Sequence, residues 1–219
     1  MPFLPFLKLI RLNNLIMIFL TQYLVKYFLF KPFNIPVTLD GLDFSLLVIS
    51  MMALAAAGNI INDIHDVRTD SINKPHRQVI GKGISEKNAY NWFFGLNILG
   101  VGIGFYLSNH VGHPSFVALF ILPSVFLYLY ATQLKKTILV GNVVVSIMVA
   151  MIIVMIGIFD LLPAITPLNR PTQRVIFSIL LDYAIFAFLA NLLREIVKDQ
   201  EDITGDHNAG LHTLPVVLG

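Results

Sequence analysis

Two short segments of this chain carry most of its acids. The first reads Asn62-Asp63-Ile64-His65-Asp66-Val67-Arg68-Thr69-Asp70, the second Lys198-Asp199-Gln200-Glu201-Asp202-Ile203-Thr204-Gly205-Asp206. Asp63, Asp66 and Asp70 share the spacing i, i+3, i+7 with Asp199, Asp202 and Asp206. On a continuous helix that spacing puts three carboxylates within roughly 60° of one face. With Glu195 and Glu201 added, these stretches hold eight of the 13 acidic residues. Like charges gathered this way repel one another unless a cation neutralises them. Magnesium suits such a set, because it takes hard oxygen ligands, keeps several waters and bridges one or two carboxylates to phosphate. Lysines and arginines beside both segments extend the reading to a diphosphate held through Mg²⁺. The plainer alternative is a pair of solvated acidic helix ends, and the common spacing argues against it.

The elements that must position these acids are membrane helices. Hydrophobic residues make up 56% of the 219 and charged residues 13%, with a mean hydropathy of +0.76, which is a membrane composition. Apolar runs at about 12–31, 43–62, 89–109, 114–133, 138–159 and 173–198 predict six spans. Pro32, Pro36, Pro75, Pro114, Pro163, Pro167 and Pro171 mark most of the breaks between them. The expected fold is therefore an all-α polytopic membrane helix bundle of about six transmembrane helices, a single domain over 1–219. The first run is not followed by a small-residue cleavage site and reads as a retained span. With the N-terminus inside, Lys8, Arg11, Arg68, Lys74, Arg77, Lys82, Lys87, Lys135, Lys136, Arg194 and Lys198 face the cytoplasm, against Lys26, Lys31, Arg170 and Arg174 outside. That bias places both acidic segments, at the ends of spans two and six, on the cytoplasmic side of an inner or plasma membrane. The two segments also superpose at a constant offset of 136 residues (199 − 63, 202 − 66, 206 − 70), which hints at an internal repeat.

Several classes are excluded. The chain has no cysteine, so disulfides, thiolate zinc sites and cysteine nucleophiles are ruled out. The net charge of +2 comes from bases clustered beside the acids, without the interleaved aromatic pattern that binds bases, so the partners are phosphate groups and membrane rather than nucleic acid. Oligomeric state is not legible.

The residues carry a resemblance. Asn62-x-x-x-Asp66-x-x-x-Asp70, then Asn73-Lys74-Pro75-His76-Arg77, and later Arg194-Glu195-Ile196-Val197-Lys198-Asp199 through Asp202-x-x-x-Asp206 and Gly210-Leu211-His212-Thr213-Leu214-Pro215, resemble the two aspartate-rich motifs of the UbiA superfamily of intramembrane prenyltransferases. The second segment is most similar to the branch that makes digeranylgeranylglyceryl phosphate. Arg11-Leu12-Asn13-Asn14 resembles the opening of the first family helix, with Leu12 in place of proline, and Leu134-Lys135-Lys136 with Gly141-Asn142 resembles the pattern between the fourth and fifth. Gln78 stands where the family usually has proline. The resemblance implies nine helices, of which this chain would lack the C-terminal ones, and Mg²⁺-dependent transfer of a polyprenyl group from a prenyl diphosphate to an acceptor.

On that resemblance Asp66, Asp70, Asp202 and Asp206 are the leading metal ligands and catalytic acids, Asn62 is a ligand or diphosphate contact, and Asp63 and Asp199 are supporting metal-site acids. Arg77, Lys135 and Lys198 are candidates to contact diphosphate or acceptor phosphate, each weighed against a plain topology signal. Tyr130 and Asn14 are candidates to face the cavity, weighed against an interfacial tyrosine and an interhelical asparagine. The acceptor stays open between a lipid such as geranylgeranylglyceryl phosphate and an aromatic quinone precursor. Other residues rank lower: His65 and His76 read as solvated loop histidines, Asp182 as an acid inside a span with no evident partner, and Met51, Met52 and Ala53–Ala57 as close helix packing. The alternative class is an ion-coupled transporter, which requires acids at mid-membrane depth and broken helices. A third reading is an inactive fragment that retains the fold.

Overall fold

A computed structural model of the chain describes residues 3–73, 76, 78–208, 210 and 213–218, with backbone alone at Lys136. It is helical where the apolar runs demand it. A short helix α1 (Phe3–Leu9) precedes α2 (Leu12–Leu24), which continues through a widened turn to Phe30. α3 (Gly41–His65) is followed by the short α4 (Val67–Asn73), and α5 (Glu86–His110) by α6 (Ala118–Thr132). α7 (Val140–Ile156) runs on in wider and tighter turns to Ala164, and α8 (Arg170–Glu201) leads to the short α9 (Ile203–Asn208) and α10 (Leu214–Leu218).

Local chemistry sets the starts of the long helices. Asp40 accepts from the amides of Leu42 and Asp43, both at 2.8 Å, and Ser85 accepts from Asn88 at 3.3 Å, so the first orphan donors of α3 and α5 are satisfied. α8 opens with Pro171 in its first turn, where a missing N–H costs nothing.

Among the described residues, five helices are long and apolar enough to cross a membrane: Leu12–Phe30, Gly41–His65, Pro114–Thr132, Val140–Ala164 and Arg170–Glu201. The expected span at 89–109 is present as the 25-residue α5, but it falls outside that set. Its asparagines and glycines dilute the apolar run, and it compensates by packing along α3. Large apolar side chains face outward, with Phe28 and Ile98 each 73% exposed and Phe186 71%. Such a surface belongs in lipid, and the chain is an integral membrane protein.

α3 is the hub, packing on α5, α6 and α2, while α7 pairs with α8 and touches α2 and α6. The hub works because its small residues let backbones approach: Ala53, Ala56 and Ala57 are buried, as the reading of this run as helix packing expected. The Ser50 hydroxyl donates to the Gly100 carbonyl of α5 at 2.7 Å, and a Cβ on Gly100 would lie 2.8 Å from Leu54. Gly104 is tighter still, since a Cβ there would lie 2.3 Å from the buried ring of Phe120.

At the end of the bundle away from the acidic segments, a buried ion pair joins α2 to α7. Lys26 Nζ meets Asp160 Oδ2 at 2.7 Å, with side-chain exposures of 10% and 0%. Lys26 also donates to the Leu39 carbonyl at 2.8 Å, and the Leu39 amide donates to Asp160 Oδ1 at 2.9 Å. Asp182, the acid singled out in the sequence, is exposed on α8 instead.

Candidate active site

Both acidic segments sit where a long helix stops and a short one restarts. α3 ends at His65, Asp66 caps it with φ −93° and ψ 1°, and α4 begins at Val67. α8 ends at Glu201, Asp202 caps it with φ −95° and ψ 4°, and α9 begins at Ile203. Each middle acid donates its amide to the fourth residue back (Asn62 at 2.9 Å, Lys198 at 3.0 Å) and gives its carbonyl to the fourth residue on (Asp70 at 2.8 Å, Asp206 at 3.0 Å). The offset of 136 residues is thus a repeat of backbone as well as of acids. The condition of a continuous helix is not met: the outer two acids of each trio stand on different helices, joined by a bend at the middle one. At the first bend Asn62 Nδ2 donates to Asp66 Oδ2 at 2.7 Å, and the Thr69 hydroxyl donates to the Asp66 carbonyl at 3.0 Å beside the bond from Asp70.

The two bends line one cavity of about 980 Å³. Its walls include Asn14, Asn62, Asp63, Asp66, Asp70, Tyr130, Lys135, Lys198, Asp199, Asp202 and Asp206, so eleven of the twelve residues expected from sequence meet there. The twelfth, Arg77, lies outside the described residues. The acidic segments meet where α4 packs on α9.

Ion pairs hold Asp63, Asp66 and Glu195, and neutral donors hold Asp199 and Asp206. Arg11 meets Asp63 at 2.8 Å from the junction of α1 and α2, where its own backbone is left-handed at φ 53°. Lys135 forms an ion pair with Asp66. Asn142, at the start of α7, donates to Asp199 at 2.7 Å. Arg194 meets Glu195 at 2.6 Å, and Lys198 stands 3.6 Å from the same carboxylate. Thr213 donates to Asp206 at 3.3 Å. Burial pushes the Asp206 carboxyl above its ordinary value, against the Thr213 hydrogen bond, and the charges of Asp199 and Asp202 add to the rise. Asn62 Oδ1 is buried with no hydrogen-bond partner among the described residues.

Sequence reasoning passed over part of this wall. Lys8, Arg11, Thr69, Asn73, His76, Arg194 and Thr213 all line the cavity. His76 therefore borders it, and both His76 and His65 are exposed. Arg11, Asn73 and Arg194 stood inside the quoted motifs, and that was the available signal. Asn142 was quoted too, and its role is to hold Asp199.

The donor set can be tested against a divalent cation. Among the described residues, no three His, Asp or Glu side chains are gathered closely enough to cage an ion by themselves. A hard cation that keeps its waters and is completed by phosphate needs no such cage, and carboxylates on two facing walls with a free amide oxygen at Asn62 fit it.

Comparison with known proteins agrees with the geometry. The UbiA prenyltransferase family matches residues 32–219. A digeranylgeranylglyceryl phosphate synthase of Methanobrevibacter smithii is 34% identical over 215 residues, which is 98% of this chain and 69% of that protein. One of Methanopyrus kandleri is 38% identical over 166 residues, 76% of this chain and 54% of that protein. The chain thus spans between about half and about two thirds of these relatives. A solved structure described as "Structural and mechanistic insights into the biosynthesis of Digeranylgeranylglyceryl phosphate synthase in membranes" superposes with a TM-score of 0.65 at 27% identity, covering 97% of this chain and 67% of that one.

Proposed function

The chain belongs to the UbiA prenyltransferase family, and on that premise we propose that it transfers a geranylgeranyl group from its diphosphate to the hydroxyl of geranylgeranylglyceryl phosphate. The observation that carries this reading is the meeting of two acidic bends in one cavity, with bases on the same walls. Relatives bearing the name digeranylgeranylglyceryl phosphate synthase support the choice of substrates.

In this reading Asp66, Asp70, Asp202 and Asp206 would hold Mg²⁺, with Asn62 offering an amide oxygen, while Asp63 and Asp199 would support them through Arg11 and Asn142. When bound, Mg²⁺ would supply charge neutralisation to the diphosphate leaving group. Lys135 and Lys198 contact its oxygens. The prenyl C1–O bond breaks with its electron pair passing to the diphosphate, and an allylic cation is left at C1. The acceptor hydroxyl oxygen forms the new C–O bond, and its proton passes to water or to the released diphosphate. Tyr130 and Asn14 line the space where the reacting carbon lies. The isoprenoid tail lies against apolar helix surface, where burial contributes roughly 0.8 kcal/mol per CH₂. The excess of bases at the cavity end supports a cytoplasmic entrance.

An ion-coupled transporter would need acids at mid-membrane depth, and these acids stand at helix ends. The test is an assay of membranes carrying the chain with radiolabelled geranylgeranyl diphosphate, with and without Mg²⁺. Acceptors are geranylgeranylglyceryl phosphate and aromatic quinone precursors. Mg²⁺-dependent labelling of the glyceryl phosphate lipid is expected. Labelling of an aromatic acceptor alone would replace the proposed substrate, and no release of diphosphate under any condition would reject the enzyme.

A further inference from the structure

We propose that Asn73 is a positioning residue whose side-chain amide straps α4 to the junction of α8 and α9, fixing the separation of the two acidic walls. The consequence for catalysis rests on the reading of the cavity given above.

The geometry is specific. Asn73 Nδ2 donates to the backbone carbonyl of Asp202 at 3.0 Å, and Asn73 Oδ1 accepts from the backbone amide of Gly205 at 2.8 Å. One planar amide thus bonds a C=O and an N–H three residues apart on the other motif. The bonds reach across about 130 positions of sequence, so they are tertiary. At one end the strap begins three residues after Asp70, and at the other it ends on the backbone of Asp202 itself.

Gly205 is what lets the strap close. A Cβ there would lie 2.3 Å from Asn73 Nδ2 and 2.5 Å from Oδ1, closer than real side-chain atoms come. Gly205 lies in helical α9 and not at a positive φ, so the requirement is space rather than backbone freedom. Asparagine suits the other side because it alone among short side chains offers a donor and an acceptor in one plane. Aspartate keeps the bond to Gly205 but loses the donor to Asp202, and glutamine is a methylene too long for the gap.

Because the chain has no cysteine, two labels report the geometry cleanly. Ser71→Cys and Asn208→Cys, both at exposed positions on α4 and α9, are spin-labelled in the full chain in lipid nanodiscs, and their distance distribution is measured by pulsed electron resonance. A single narrow distribution is expected. Asn73→Ala broadens it, Gly205→Ala broadens it equally, and the double variant is no worse than the worse single one, since both remove the same strap.

Binding of Mn²⁺ with inorganic diphosphate, followed by the manganese resonance signal, weakens roughly tenfold in Asn73→Ala, the scale of one or two lost hydrogen bonds. A residue that merely packs α4 on α9 would lower the melting temperature and leave distance and affinity alone. An unchanged distance distribution in Asn73→Ala overturns the strap. If the unsubstituted chain does not take up Mn²⁺ with diphosphate, the reading of the cavity fails, and the distance measurement still decides the strap.

Discussion

The ion pair between Lys26 and Asp160 offers the cleanest energetic test of the fold. Replacing Asp160 by alanine leaves the Lys26 ammonium only 10% exposed, with the Leu39 carbonyl at 2.8 Å and the Phe44 ring centroid at 4.8 Å as its remaining partners. It also strands the Leu39 amide, which gives its hydrogen to Asp160 at 2.9 Å. Since neither charge is appreciably wet, no discount for solvent screening applies, and breaking the pair costs about 3–5 kcal/mol. Lys26→Met costs a similar amount, because it leaves a fully buried carboxylate with backbone donors alone. The double variant Lys26→Met/Asp160→Ala removes both charges together and leaves the Leu39 amide as the stranded group, so its cost falls to roughly 1–3 kcal/mol. Additive behaviour would give about 6–10 kcal/mol, and the difference is the coupling energy. Reversible unfolding in mixed micelles with rising dodecyl sulfate, followed by far-ultraviolet circular dichroism, measures all four proteins. Single variants within about 1 kcal/mol of the parent, or a double variant equal to the sum, would refute the reasoning. Folded Asp160→Ala should still bind Mn²⁺ with diphosphate, because the cavity lies at the other end of the helices.

Three further outcomes are expected. Asp66→Ala and Asp202→Ala each lower prenyl transfer roughly a hundredfold or more while membrane expression persists; full activity in both would remove these acids from the ligand set. Mn²⁺ affinity should fall on acidification at a higher pH than an ordinary aspartate would give, because Asp206, a proposed ligand, has a raised pKa and would have to lose its proton to bind. In the cation-free chain the same shift makes the contribution of Asp206 to stability largest at low pH and lost as pH rises through the raised value. Asp206→Asn should flatten that limb of both profiles, and titration calorimetry in buffers of different ionisation heat should register proton release on binding. Gly104→Val drives a side chain into the Phe120 ring and costs about 1–3 kcal/mol in the same unfolding assay.

Much of this was legible in the residues because membrane helices and acidic motifs are local patterns. The five spans that qualify, and α5 beside them, start and stop within a few residues of the apolar runs. The bends at Asp66 and Asp202 were not legible, since i, i+3, i+7 fits a helix that stops and restarts as well as one that continues. The pairing of Lys26 with Asp160 was missed because a base near a span end counts as a topology signal. Asp160 also sits at the edge of an apolar run where nothing local marks a partner 134 positions away. Asp182 drew attention by the same logic and turned out to be exposed. Asn73 stood inside a quoted motif, but its pairing with Gly205 was not legible, and only the approach of α4 to α9 reveals it.

The matched terminations of α3 and α8 carry a consequence for the sequence of arrivals. Both long helices aim their carbonyl ends at the cavity, so the partial negative charge of two macrodipoles adds to that of the carboxylates, and the short helices restarting there return only part of it. A naked pyrophosphoryl group approaching this mouth is repelled from both sides. In the proposed reaction a divalent ion would therefore have to enter ahead of the donor or travel with it, and donor without metal is expected to act as a poor competitor rather than a slow substrate.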